Sequence, residues 1–134
     1  MSRVVGIDYG TKRVGVALSD ESRMIASPYG VIEAAAAIEM IEQIVAEEDS
    51  ELVVVGLPTG LAGNETPSTI SAREFAEELS ERLTVTVELA DERFTSKVAE
   101  DVLIEAGMTR ERRRQIRDKM AATVMLQSYL DSLR

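Results

Sequence analysis

The chain has 134 residues, contains neither cysteine nor histidine, and carries a formal net charge of −9 at pH 7. This length fits one domain, and the composition excludes disulfide bonds, cysteine catalysis, a histidine general base and a typical zinc site. No apolar run approaches about 18 residues and no signal peptide is recognisable, so we expect a single cytoplasmic domain over residues 1–134 with no membrane contact.

The first half of the chain predicts three strands and a helix. Residues 3–8 and 13–19 are apolar or alternating runs joined by the glycine turn YGTK, which is typical of a hairpin. A third strand is predicted within 24–33, where Pro28 makes it irregular or places it at a sheet edge. Residues 34–48 predict a helix, because apolar side chains recur there at intervals of three and four.

The second half predicts strands that alternate with helices. Its first run, ELVVVGLP, is continuously apolar, as in strands that are covered on both faces. The predicted elements are a strand at 51–58, a helix from Thr66-Pro67 to about Leu83, a strand at 84–90, a helix from Thr95 or Ser96 to Gly107, and a last helix capped by Thr109. The order β-β-β-α-β-α-β-α-α predicts an α/β fold, with a mixed sheet and helices on both faces.

The charge is unevenly distributed along the chain. Residues 110–119, RERRRQIRDK, hold five Arg and one Lys against one Glu and one Asp, which gives the segment a net charge of +4. The other residues therefore carry −13. Such a chain repels nucleic acid over most of its surface and offers one basic segment where it can bind, although an arginine run is also typical of a solvated helix face.

Three acidic positions differ from the acids on solvated helix surfaces. Asp8 ends the first strand, where a buried and unpaired carboxylate would be costly. Asp91-Glu92 follows the last strand, and the choice between these two acids stays open. Asp118 lies in the last helix, on a face that is small and then apolar. The other residues of that face are Ala121, Ala122, Met125 and Tyr129.

These acids can share one site if two of the α/β strands flank the first strand. Asp8 and Glu92 would then end at the same sheet edge, with Asp118 close by. Like charges that close would raise one another's pKa unless cations lie between them, and Mg²⁺ or Mn²⁺ suits all-oxygen ligands. Two such ions roughly 3.5–4 Å apart serve the in-line attack of water on a phosphodiester.

Each acid also has a structural explanation that involves no catalysis. Asp8 can be a turn or cap residue, and Glu92 can cap the next helix or pair with Arg93. Asp118 can pair with Arg114, four residues earlier on the same helix. The three acids become a site only if the fold brings them together.

The turn next to Asp8 supplies candidate substrate contacts. Gly10 would let the backbone turn tightly, with positive φ as one route, or approach a ligand closely. Lys12 and Arg13 would then lie beside the site and contact a substrate phosphate; the alternative is a plain hairpin with Lys12 in solvent. The other candidate substrate-binding residues are Arg93, Arg112, Arg113 and Arg114.

Four stretches carry a family resemblance over nearly the whole chain: GIDYGTKRVGVALSD, VVVGLPTGLAGNE, DERFTS and DKMAATVMLQSYLD. Together they resemble the YqgF/RuvX family, which is related to Holliday-junction resolvases. The resemblance implies an RNase H-like fold, with a five-stranded mixed sheet whose first three strands are antiparallel. The family's acidic residues, implied to be catalytic and metal-binding, fall on Asp8, Glu92 and Asp118.

The resemblance also implies a nuclease that acts in 5′-end processing of precursor 16S ribosomal RNA. Cleavage of branched DNA is the alternative, and the small ribosomal subunit is a further expected partner, with the protein a monomer or weak dimer. One feature departs from better-known resolvases of this fold, which carry an acid at the end of the fourth strand. Here that strand ends in Gly56-Leu57-Pro58, so Glu92 must replace the missing acid.

Two other interpretations remain. GIDYGTKRVGVA also resembles the phosphate-binding hairpin of actin-like and Hsp70-like ATPases, but those enclose ATP between two such domains, and this chain has no P-loop pattern. A non-catalytic module is the second: the acids would be structural and the arginine-rich segment would dock RNA or a ribosomal protein.

Overall fold

The structure, a computed structural model, describes residues 2–58, 64–91, 107 and 109–133, without the side chains of 113–119. Within these residues a five-stranded sheet has the order β3-β2-β1-β4-β5. The strands are β1 (Val4–Tyr9), β2 (Arg13–Ser19), β3 (Ala26–Glu33), β4 (Leu52–Leu57) and β5 (Thr86–Asp91). The first three pair antiparallel, whereas β4 pairs parallel with both β1 and β5. The predicted mixed sheet is confirmed.

Three α-helices accompany this sheet in the described residues. They are α1 (Ala37–Glu47), α2 (Pro67–Arg82) and α3 (Arg110–Ser132). The predicted helix at 34–48 begins with a 3₁₀ turn, Ala34–Ala36, before α1 proper. The helix predicted from Thr95 or Ser96 lies outside the described residues, but Gly107, its predicted end, has the left-handed φ of 74° that suits a C′ residue.

The start of α2 is fixed by a reciprocal pair of threonines. The Thr66 hydroxyl oxygen accepts a hydrogen bond from the Thr69 N–H at 3.2 Å, and the Thr69 hydroxyl oxygen accepts one from the Thr66 N–H at 3.0 Å. Pro67 occupies the first helical position, where its missing N–H costs nothing. The Thr69 hydroxyl also donates to the Pro58 carbonyl. These contacts confirm the predicted cap and tie the start of α2 to the end of β4.

Two hydrophobic cores lie on opposite faces of the sheet. One lies under α1 and α2 and contains Ile7, Ile41, Phe75 and Leu79. The other lies under α3. The face predicted for the last helix packs there, since Ala121, Ala122 and Met125 are buried and Tyr129 is partly buried. The prediction of helices on both faces is therefore confirmed.

Strand β3 forms one edge of the sheet. All but two of its residues are exposed, and its register against β2 shifts between Val16 and Ala17, where Pro28 pairs. This confirms the expectation of an irregular edge strand. In the part of the chain that the structure describes, no helix is long and apolar enough to cross a membrane.

Candidate active site at the carboxyl edge of the sheet

Asp8 lies at the carboxyl end of the central strand, on the face that α3 covers. Its cross-strand partner is Gly15, and a Cβ placed on Gly15 would lie 3.8 Å from the Asp8 Cβ and 3.5 Å from the Ala122 Cβ. Asp8 is half-buried. The first strand therefore presents a carboxylate beside the close approach of a helix, as the sequence predicts.

The direction of α3 brings the backbone of Asp118 toward the same edge. Gly6 packs against Leu126, whereas Gly15, level with Asp8, packs against Ala122. Moving from Leu126 to Ala122 along the helix thus follows β1 toward its carboxyl end. Asp118 lies one turn beyond Ala122 in that direction. Its side chain lies outside the described residues, so its role as a metal ligand stays a prediction.

The strand order corrects one expectation about the third acid. Only β4 flanks β1 on this side, and β5 lies beyond it. The ends of β1 and β5 share one edge, because β1, β4 and β5 run parallel, but two strand spacings of about 9.4–9.8 Å in total separate them. An acid at the end of β5 is therefore not adjacent to Asp8, as it would be on a flanking strand.

The faces of β5 distinguish Asp91 from its neighbours. Glu88 accepts a hydrogen bond from Tyr129 of α3, and Ala90 packs against the α3 core. Val87 packs against the opposite core, under α1 and α2. Because side chains alternate along a strand, Asp91 shares the face of Val87 and not that of Asp8. Glu92, the other candidate, lies outside the described residues, and so does Arg93.

The turn at Gly10 is tight for a reason other than positive φ. The φ of Gly10 lies outside the left-handed region, so positive φ is not the reason that this position holds a glycine. A Cβ at this position would instead lie 2.5 Å from the carbonyl oxygen of Arg13, which only a residue without Cβ allows. The Lys12 carbonyl accepts a hydrogen bond from the Ala34 N–H at 3.0 Å, which holds the turn to the end of β3.

Exposed cations lie in the turn after β1 and at the start of α3. Lys12 and Arg13 are exposed at the turn and form no ion pair with another described residue. Arg112 is exposed in the first turn of α3, where its N–H donates to the Thr109 hydroxyl at 3.3 Å, and this confirms Thr109 as the cap. The side chains of Arg113 and Arg114 lie outside the described residues.

A ring contact beside Asp8 was not anticipated from the sequence. Tyr9 stacks on Phe75 of α2, with ring centroids 4.4 Å apart and an interplanar angle of 25°. Tyr9 points to the face opposite Asp8 and fixes the end of β1 against α2. Aromatic residues are rare in this chain, at 4%, so two of them in strand-end and helix-face positions were an available signal.

Side-chain contacts at the amino end of β3 hold the carboxyl-terminal half of α3. The Gln127 side chain accepts from the Ala26 N–H at 2.9 Å and donates to the Met24 carbonyl at 3.0 Å. Burial and the hydrogen bond to Glu88 raise the pKa of Tyr129 to about 12, which keeps that hydroxyl protonated.

The turn between β2 and β3 is itself held by an acid. Hydrogen bonds from the Ser22 hydroxyl and from the N–H groups of Ile25 and Met24 lower the pKa of Asp20 to about 2. This carboxylate therefore stays ionised and keeps its place in the turn.

The donor chemistry of the carboxyl edge fits a hard divalent cation. Such ions prefer carboxylate oxygens, and Asp8 offers them beside the helix that carries Asp118. Among the described residues, no three acidic, histidine or cysteine side chains form a group that could hold a metal. Glu92 and the side chain of Asp118 lie outside the described residues, so this finding does not cover them.

Comparison with known proteins gives a consistent result. A family model described as RuvX, Holliday junction resolvase, matches residues 2–132. A protein of Pelotomaculum thermopropionicum with the provisional name pre-16S rRNA nuclease is 45% identical over 134 residues, which cover 97% of this chain and 87% of that protein. A protein of the same provisional name from Syntrophomonas wolfei is 37% identical over 132 residues, which cover 96% of this chain and 94% of that protein.

Solved structures agree at the level of the fold. RuvC of T. thermophilus in complex with a Holliday junction substrate gives a TM-score of 0.59 at 12% identity, over 99% of this chain and 96% of that one. A second Thermus thermophilus RuvC structure gives 0.57 at 14% identity, over 98% and 95% of the two chains. At this identity the likeness establishes the fold alone, which is RNase H-like.

Proposed function

The chain belongs to the RuvX family of Holliday junction resolvases, and from this premise we propose that it is a divalent-metal-dependent nuclease that processes the 5′ end of precursor 16S ribosomal RNA. Hydrolysis of phosphodiester bonds follows from relatives that are named as nucleases at 37–45% identity. The observation in the structure that carries the proposal is Asp8, at the end of the central strand and beneath the close approach of α3.

In this proposal Asp8, Glu92 and Asp118 are the catalytic metal ligands. The placement of Asp91 supports the choice of Glu92, because Asp91 shares the sheet face of Val87 and so points away from the Asp8 face. A residue one position later alternates to the face of Asp8 if the extended backbone continues. A carboxylate there also supplies the acid that the end of β4 lacks.

These three carboxylates would hold Mg²⁺ or Mn²⁺. When bound, such ions activate a water molecule and stabilise the oxygen that leaves the phosphorus. Asp8, Glu92 and Asp118 would fix the positions of these ions. Because the chain has no histidine and no cysteine, carboxylates are the side chains left to supply strong metal ligands, and one of them would accept the proton of the attacking water.

Cations at the same edge would bind the nucleic-acid backbone. Lys12 and Arg13 are exposed at the turn that follows Asp8, and Arg112 is exposed where α3 begins. We propose the same role for Arg93, Arg113 and Arg114, whose side chains lie outside the described residues. The acidic remainder of the chain would repel nucleic acid and restrict binding to this edge. The proposal includes a cytoplasmic location and contact with the small ribosomal subunit, where this RNA is matured.

Cleavage of a four-way DNA junction is the second candidate function. The description of the matching family favours it. The two candidates share the same carboxylates and differ in the substrate, so one assay compares them. Labelled RNA that spans the 5′ end of 16S rRNA and a labelled four-way DNA junction would be incubated with the protein and Mn²⁺.

Substitution of Asp8 tests the assignment of the site. We expect Asp8→Asn and Glu92→Gln to lower the cleavage rate by more than about 100-fold, since outer-shell partners of metal ligands alone are worth 10–100-fold. Asp91→Asn is the matched control and should cleave like the wild type, because its side chain lies on the other face. Without metal, Asp8→Asn should melt at the same or a higher temperature, since like-charge repulsion falls.

Two results would contradict the proposal. Metal-dependent cleavage that persists in Asp8→Asn would remove this carboxylate from the site. Binding of RNA without cleavage, unchanged in Asp8→Asn and independent of Mn²⁺, would identify a non-catalytic module instead.

A further inference from the structure

Gly6 of β1 lies in close contact with α3. A Cβ placed on Gly6 would lie 2.9 Å from the Leu126 Cβ, 3.3 Å from its Cγ and 3.2 Å from its Cδ2. Non-bonded carbon atoms rest at about 3.5–4.0 Å, so only a residue without a side chain fits here. Leu126 is fully buried, and its Cβ is bonded directly to the helix backbone. A change of rotamer therefore cannot relieve the contact.

A second contact, between Gly15 of β2 and Ala122 of α3, is looser. A Cβ on Gly15 would lie 3.5 Å from the Ala122 Cβ, which is ordinary van der Waals contact. The separation between α3 and the sheet is thus limited by Gly6 and not by Gly15. The face of α3 that carries Leu126 and Ala122 continues to Asp118, which lies one helical turn further toward the edge that carries Asp8.

Side-chain hydrogen bonds hold the part of α3 that follows Leu126. The Gln127 side chain accepts a hydrogen bond from the Ala26 N–H of β3 and donates one to the Met24 carbonyl, and the Tyr129 hydroxyl donates to Glu88 of β5. Asp118 lies eight residues before Leu126, about 12 Å along the helix axis. A Cβ at Gly6 would displace Leu126 away from β1. The backbone of Asp118 would move away from β1 with it, because both residues lie on one continuous helix.

We propose that Gly6 is a positioning residue for metal binding: its missing side chain lets α3 lie close enough to β1 for Asp118 and Asp8 to share a divalent cation. The inference rests on the proposed function, because it takes both acids as ligands. Gly6, which would touch neither metal nor substrate, would set the distance between Asp8 and Asp118.

The test measures affinity for Mn²⁺ in addition to activity. Calorimetric titration gives the dissociation constant of Mn²⁺, and cleavage of labelled RNA gives the Mn²⁺ concentration for half-maximal rate. In Gly6→Ala we expect both values to rise at least about tenfold, the size of effect that misplaced ligands have on metal affinity. A residue with only a structural role would lower the melting temperature but leave both concentrations unchanged at a temperature where the variant is fully folded, since only a reduced folded fraction would raise the apparent dissociation constant.

Gly30→Ala is the matched control in the same sheet. A Cβ on Gly30 would meet nothing within 4 Å, so this variant should bind Mn²⁺ like the wild type. Ala122→Ser adds one atom to the helix side of the contact opposite Gly15 and should give a smaller rise in the same direction. It keeps the test decisive if Gly6→Ala does not fold.

The outcomes separate this inference from the proposed function. Loss of Mn²⁺ binding in Asp8→Asn, together with wild-type affinity in Gly6→Ala and Ala122→Ser, would overturn the role of Gly6 and leave the nuclease site intact. Wild-type protein that binds no Mn²⁺, or Asp8→Asn that binds it normally, would overturn the site itself.

Discussion

The two faces of the central strand are built in opposite ways. Toward α1 and α2, β1 presents Val5 and Ile7, which are fully buried in a core that also contains Phe75 and Leu79. Toward α3, the same strand presents the buried Val4 and then Gly6, without a side chain, and Asp8. The large side chains stabilise the fold by burial, whereas the missing side chain of Gly6 lets a helix come close. A strand with period two can thus separate stability from the geometry of a site.

Substitution on the large-residue face gives the biggest expected change in stability and tests this separation. Ile7→Ala removes a fully buried side chain and should lower the free energy of unfolding by about 2–5 kcal/mol. Ile7→Val should cost about 0.5–1.5 kcal/mol. Urea denaturation measures both. The Mn²⁺ concentration for half-maximal cleavage should stay at the wild-type value, and a clear shift would show that the two faces are coupled.

A second prediction extends the comparison to the helix surfaces. The layer of α1 and α2 exposes acids toward solvent, namely Glu39, Glu42, Glu47, Glu74, Glu77, Glu78 and Glu81. The first turns of α3 carry the basic cluster. Replacement of Arg112, Arg113 and Arg114 together by Ala should weaken RNA binding and flatten its log-log salt dependence by roughly 0.7–0.9 for each phosphate that the protein no longer neutralises.

The chain offers a control for this loss of positive charge. Arg73 and Arg82 lie on α2 and pair there with Glu65 and Glu42. Their replacement by Ala should leave the salt dependence as in the wild type. If the two sets of variants gave equal slopes, the arginines of α3 would be a solvated helix face.

The smallest expected effect concerns the turn that follows Asp8. Lys12→Ala removes an exposed charge without an ion pair to another described residue, so the free energy of unfolding should change by less than about 0.5 kcal/mol. Substrate binding should weaken a few-fold, whereas Thr11→Ala, also exposed in this turn, should bind normally. Wild-type kinetics in Lys12→Ala would place this residue outside the site.

Gly10→Ala, in contrast, should lose stability and activity because its Cβ would strike the Arg13 carbonyl.

Much of this organisation follows from local sequence patterns. The inward face of α3 was predictable because helical spacing alone places Ala122 and Met125 together. The cap at Thr66-Pro67 and the edge character of the strand around Pro28 follow in the same way from residues whose backbone chemistry is special. Each of these features depends on residues within a few positions of one another.

Features that depend on distant parts of the chain were less predictable. The position of β4 between β1 and β5 depends on strand pairing, which no local pattern contains. The condition that two α/β strands flank β1 is therefore not met. A glycine in the sequence indicates a special position but does not show which neighbouring group excludes a side chain. At Gly10 that group is the nearby Arg13 carbonyl, and at Gly6 it is Leu126, 120 residues later in the chain. The roles of Glu92 and Asp118 as ligands remain predictions.

The irregularity of β3 has a consequence for how copies of the molecule meet. An edge strand exposes a row of unsatisfied backbone groups, which is a template for aggregation, and this one also exposes Tyr29 and Val31. Pro28 has no N–H to offer an incoming strand, and the register shift opposite it breaks the even spacing that a growing sheet needs. The residues that interrupt this strand therefore act as gatekeepers that resist fibril-like stacking at high protein concentration.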